Sequence, residues 1–147
     1  GESTVVGHGQ FAPIRFAKGT IGNRRPLLVS PQHRILHSGG DAELLFNTSE
    51  VLIPACHMIN GTTIHRETRP KVSYYHLLFD RHEILTGNGL DSESYHPGRE
   101  TLDGFDQETR DEILRLMPNM DAMMGYGYGP TARISLRKHE AKALLRN

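Results

Sequence analysis

The sequence predicts a mainly β domain followed by two helices, and three observations carry that reading. Short runs rich in Val, Ile, Leu and Tyr recur from Thr4 to Tyr95, most of them too brief for a helix. Two Asn-Gly dipeptides, Asn60-Gly61 and Asn88-Gly89, stand between such runs, where a tight hairpin turn needs residues that accept positive φ. Beyond His96-Pro97-Gly98 the apolar residues switch to helical spacing.

Residues 1–9 are polar and glycine-rich around Thr4-Val5-Val6. Residues 11–16 alternate and read as an edge strand, because Pro13 cannot donate to a ladder. Residues 18–25 form a loop. Residues 27–36 are two apolar runs around the polar tetrad Ser30-Pro31-Gln32-His33. Pro31 has no N–H and a fixed φ, so the ladder breaks there. After a turn at 38–41, residues 43–46 and 50–53 are short apolar runs split by Asn47-Thr48-Ser49. Residues 54–59 connect to the first Asn-Gly turn. Residues 62–67 are a β-branched strand. Residues 72–79 are the longest strand candidate, with Tyr74 and Tyr75 on opposite faces and one of them expected in the core. Asp80-Arg81-His82 interrupts it, 83–86 resume it, and 90–95 follow the second Asn-Gly.

In residues 106–117, Ile113, Leu114 and Met117 share a helical face, acids come early, Arg115 comes late, and Pro118 stops the run. Residues 120–130 are a Met- and Gly-rich loop; the methionines at 117–124 suit core or docking surface. Residues 135–146 form a second helix, with Leu136, Ala143 and Leu144 on one side and basic residues elsewhere. The organisation predicted is a β core over 1–97 and a helical extension over 98–147 packed on it as one unit.

A chain of 147 residues can bury a single core. The 17 basic and 17 acidic residues balance, which argues against nucleic acid and an anionic membrane surface as partners. No apolar run is long enough to span a bilayer, and no signal-peptide pattern opens the chain. The one cysteine, Cys56, excludes an internal disulfide framework. Nine histidines are many for this length, and they are spread rather than clustered as a tag.

The tetrad places a hydroxyl, Ser30, and an imidazole, His33, on one turn. Held together on a half-buried turn, such groups can polarise a carbonyl and deliver a proton to a leaving nitrogen. The plainer reading is a strand–turn–strand with a surface histidine. Cys56 and His57 are adjacent, and neighbours on a strand point to opposite faces, so a buried, inert thiol is expected. Zinc could draw on His33, His37, His57, His76 or His82, but the i, i+4 spacing of His33 and His37 serves only on a helix, and no metal is expected. The segment 125–129 lacks the Lys-Ser/Thr of a phosphate loop, and no cofactor is expected.

Taken in order, these blocks resemble the Hint (hedgehog/intein) superfamily, and within it a bacterial Hint-like branch. Leu27-Leu28-Val29-Ser30-Pro31-Gln32-His33 resembles its hydroxyl-x-x-His motif. Ala42–Phe46, Val51–Ala55 and Asn60-Gly61 follow in place. Tyr75–Ile84, then Asn88-Gly89-Leu90 and Ser92-Glu93-Ser94, resemble its late strand–His–strand block. The likeness spans residues 11–97 and implies a horseshoe-shaped β fold that cleaves its own backbone. In that chemistry an opening nucleophile attacks the preceding carbonyl, and the acyl group shifts from nitrogen to sulfur or oxygen. By position His33 would assist departure of the amide nitrogen and Ser30 would orient the scissile bond. His82, with Asp80 on the same face of a regular strand, would serve later proton transfers. His33 and His82 are expected to share one notch.

Two departures qualify the resemblance. Nothing before Phe11 matches the family's Cys- or Ser-initiated strand, and Ser3 and Thr4 sit in the wrong context. The chain therefore reads as the later part of a Hint domain, inactive by itself, whose partners are the flanking segments of its own polypeptide. Ser92-Glu93-Ser94-Tyr95 stands where inteins end in His-Asn, which favours N-terminal cleavage over splicing. The competing readings are a non-catalytic Hint-like interaction module and a zinc hydrolase. Open strand edges would permit a homodimer.

Overall fold

A computed structural model describes residues 2–7, 9–75, 77–79, 81–94, 107–116 and 130–145. The strands are β1 (Glu2–Gly7), β2 (Ile14–Phe16), β3 (Leu27–Val29), β4 (Arg34–Ser38), β5 (Glu50–Pro54), β6 (Ile64–Arg66), β7 (Arg69–Tyr75), β8 (Ile84–Gly87), β9 (Leu90–Glu93) and β10 (Ile134–Ser135). The helices are α1 (Gly40–Phe46), α2 (Gln107–Leu116) and α3 (Lys138–Leu144). The protein is mainly β, as the patterning predicts, with helices toward the C-terminus.

The strands form a pair, β1-β7, a triplet ordered β3-β2-β6 and a five-stranded sheet ordered β10-β5-β4-β9-β8. Among the described residues all pairings are antiparallel except β10 with β5. The core lies between the triplet and the larger sheet. Ile14 and Phe16 of β2 meet Ile35 of β4, Val51 and Ile53 of β5 and Ile64 of β6, all buried. Leu136, Ala141 and Leu144 join the same cluster. The C-terminal segment therefore contributes to the core, and its strand β10 has no counterpart in the sequence reading.

Four local expectations are corrected. β2 is the centre of its triplet, not an edge. Pro13 lies just before the strand, where its missing N–H costs no ladder bond. Residues 43–46 belong to α1, not a strand. Asp41 accepts the Ala42 N–H at 2.8 Å, and Asn47 stops the helix in the left-handed region at φ 57°. Leu44, 86% exposed, is apolar without being buried, which is why the run misleads. The longest strand is Arg69–Tyr75. Neither Tyr74 nor Tyr75 enters the core: Tyr75 is 75% exposed, and half-buried Tyr74 donates its hydroxyl to the Phe11 carbonyl.

Only the second Asn-Gly signal becomes a hairpin turn; Asn60-Gly61 lies in a bend that leads into β6, with the glycine alone at positive φ. Asn88 and Gly89 have φ 54° and 79°, the two left-handed residues of the tight β8–β9 hairpin. A Cβ at Gly89 would stand 2.9 Å from the Gly22 carbonyl oxygen, so the position tolerates only glycine. The Asn88 side chain accepts the Arg25 N–H at 3.0 Å and donates to the Arg25 carbonyl at 3.1 Å. The tip of the β8–β9 hairpin is thus stitched to the loop that feeds β3.

Candidate functional site

Between β3 and the β8–β9 hairpin lies a cleft of about 410 Å³. Its walls are apolar: Leu27 and Val29 of β3, Ile35 of β4, Leu85 and Leu90 of the hairpin, and Tyr75 and Leu77. Its polar lining is Ser30, His33, Ser92, Glu93 and Ser94, with Thr86 and Asn88.

The chain leaves the triplet at Val29 and enters the larger sheet at Arg34, so the tetrad is the crossing between two sheets. Its turn closes when the His33 N–H donates to the Ser30 carbonyl at 3.1 Å. Two further bonds fasten it: the Ala55 N–H to the His33 carbonyl and the Cys56 N–H to the Pro31 carbonyl, each at 2.9 Å. Ser30 and His33, both half-buried, are thereby held on a fixed turn and line the same cleft. Burial pushes the His33 imidazole below its ordinary pKa; Glu93 opposes that shift and the Arg34 cation adds to it.

His82 is placed differently. Its side chain is wholly enclosed and does not line the cleft. It precedes β8 rather than lying in a strand, so the alternation expected to pair it with Asp80 does not apply; Asp80 itself lies outside the described residues, as does His76. Among the partners of His82 are Glu93 Oε2 at 2.9 Å and the Ser94 carbonyl at 3.1 Å, both on Nε2, and the Ala132 N–H, which donates to Nδ1 at 2.8 Å.

Glu93, at the end of β9, joins the two histidines' surroundings. Its Oε1 accepts the Arg34 backbone N–H at 3.0 Å, and both oxygens accept from the Arg34 guanidinium at 3.1 Å. Arg34 and Glu93 are both buried, and the ion pair is shielded from water. Burial alone would raise the Glu93 pKa; the His82 hydrogen bond and the charge of Arg34 outweigh it and hold the carboxyl below its ordinary range. The cleft wall therefore carries a fixed carboxylate beside a partly exposed imidazole.

Arg34, Glu93 and Ala132 were not read from the sequence as site residues. A signal existed for two of them: Arg34 heads the apolar run Ile35-Leu36, and Glu93 ends a strand behind Leu90. A lone charge on a strand that is being buried needs a partner of opposite sign. Nothing local marks Ala132, whose part is played by its backbone N–H.

Cys56 and His57 do meet, contrary to the strand argument. They lie in a 3₁₀ turn, Ala55–His57, and Cys56 Sγ is 3.5 Å from His57 Nδ1. Burial pushes the Cys56 thiol up, so the pair is no thiolate–imidazolium couple. Among the described residues no group of three His, Cys, Asp or Glu side chains is placed to hold a metal ion, and no helix is long and apolar enough to cross a membrane.

The family model for the Hint domain matches residues 2–99, a span that contains Ser30, His33, Arg34, His82 and Glu93. No curated protein and no solved structure gives a significant match.

Proposed function

We propose, for a chain that belongs to the Hint domain family, that it supplies the imidazole-bearing wall of a self-cleaving site within its natural polypeptide. The observation that carries this reading is the juxtaposition of Ser30 and His33 on one fastened turn in one cleft. The partner is a flanking segment of the same polypeptide, which brings a thiol or hydroxyl nucleophile next to a scissile amide.

His33, with its pKa lowered, is a neutral imidazole at pH 7 and can take the nucleophile's proton. The nucleophile then bonds to the carbonyl carbon preceding it. The imidazolium formed is a stronger acid than an ordinary histidine, so it passes its proton to the amide nitrogen as the C–N bond breaks. An ester or thioester results, and water hydrolyses it. Ser30 orients the scissile carbonyl through its hydroxyl. His82 acts through Glu93 as a positioning residue, without touching the reacting atoms.

The test is the natural polypeptide carrying this chain with its flanking segments, followed by gel electrophoresis and intact mass. Two fragments are expected, and His33→Ala leaves the polypeptide whole. A polypeptide that never breaks, or one that breaks at an unchanged rate with His33→Ala, overturns the reading and leaves an interaction module.

A further inference from the structure

We propose that residues 130–135, beyond the span the family model matches, are a positioning element that fixes the tautomer of His82 and through it the carboxylate of Glu93. The hydrogen bonds admit one arrangement. Glu93 Oε2 and the Ser94 carbonyl can only accept, so Nε2 must carry the hydrogen. The Ala132 backbone N–H can only donate, so Nδ1 must present its lone pair. Hydrogen on Nδ1 would set two donors against each other at 2.8 Å.

The donor is held in place by structure on its C-terminal side. Ile134 and Ser135 pair in parallel with Val51 and Leu52, and the Leu136 N–H donates to the Leu52 carbonyl at 2.8 Å. Arg133 pairs with Glu50, and Leu136, Ala141 and Leu144 are buried in the core. The consequence runs inward. Nε2–H faces Glu93 Oε2; Glu93 grips the Arg34 backbone and guanidinium; and Arg34 follows His33 in the chain. The effect on cleavage rests on the self-processing reading, whereas the tautomer does not.

The decisive measurement is ¹⁵N NMR of the histidine rings in the whole chain. His82 is expected to show a protonated Nε2 and a bare Nδ1, with a coupling across the hydrogen bond between Nδ1 and the Ala132 amide nitrogen. Ala132→Pro deletes that donor and is expected to lose the coupling and to let Nδ1 take up hydrogen while Nε2 keeps its own; Ala132→Gly, which keeps the N–H, retains the wild-type ring signature. A wild-type ring with hydrogen on Nδ1, a missing coupling, or an Ala132→Pro ring unchanged from wild type overturns the proposal. If Ala132→Pro does not fold, the wild-type coupling alone decides. In the natural polypeptide, Ala132→Pro is expected to slow cleavage about a hundredfold, the scale of a small misplacement at a reacting centre. Cleavage at the wild-type rate with hydrogen on Nδ1 overturns the positioning role. A locked ring in a polypeptide that never cleaves overturns self-processing and leaves the lock standing.

Discussion

The turn around His33 and the junction around His82 use the same side chain to opposite ends. At the turn, backbone hydrogen bonds hold the main chain rigid while the imidazole keeps part of its surface in a cleft. At the junction both ring nitrogens are engaged and the residue is 4% exposed. The first ring is available to a substrate; the second holds a carboxylate still. A histidine's task is thus set by which of its atoms the fold has already occupied, not by its presence in a motif.

The contrast breaks most sharply at Glu93. Glu93→Ala strips a buried Arg34 of its counter-charge and takes the acceptor from the Arg34 N–H and from His82. A loss of about 3–5 kcal/mol is expected, as for any buried ion pair cut on one side. Urea unfolding reads it, and a loss below about 1 kcal/mol would mean that the junction is not the support described here.

His82→Ala probes the same junction more gently. It leaves the Ala132 N–H without its acceptor and takes one of two donors from Glu93 Oε2, which keeps Arg34, for about 2–3 kcal/mol. Combined with Glu93→Ala it should cost less than the sum of the two, since the residues share one network. Strict additivity in the double-mutant cycle would separate His82 from Glu93.

The two regions also differ in how they were legible. The turn announces itself: Pro31 must break a ladder, Leu27–Val29 and Ile35-Leu36 read as strands, and what lies between is forced to a crossing, although only Ile35 of these runs is buried and Leu28 is exposed. The Asn88-Gly89 turn is equally local, because positive φ at both residues is a property of those residues; at Asn60-Gly61 only the glycine takes it. The junction is not local. Glu93 and Arg34 lie 59 positions apart, and His82 and Ala132 lie 50 apart, so no spacing rule connects them. The same applies to Pro13, which reads as an edge marker until β6 arrives on the far side of β2. The helix at 40–46 was legible in principle, from Asp41 in its first turn and Asn47 as its stop, but the exposed run Leu44-Leu45 resembles a strand too short to judge by period.

The smallest expected effect sharpens the comparison, because it separates the two regions by pH. The folded pKa of His33 lies below its ordinary 6.5. Between those two values the unfolded chain binds more protons than the folded one, so stability is undiminished above 6.5 and declines as pH falls from there to the folded pKa. His57, lowered by burial and by Lys138, adds to the same phase. Glu93 is depressed below its ordinary 4.5, so its contribution is complete above that value and is lost as pH falls through the folded pKa. Both signs point to loss of stability in acid, in two phases, with the turn yielding first and the junction later. His33→Gln should change stability by less than about 1 kcal/mol at pH 7, since the side chain is partly exposed and both fastening bonds of its turn are backbone bonds. It should also shrink the upper phase while leaving the lower one. Urea midpoints taken across pH 3 to 8 test this. A His33→Gln profile that overlays the wild type around pH 6 would mean that the ring in the cleft is as freely hydrated as a surface histidine, and the distinction between the two regions would lose its electrostatic basis.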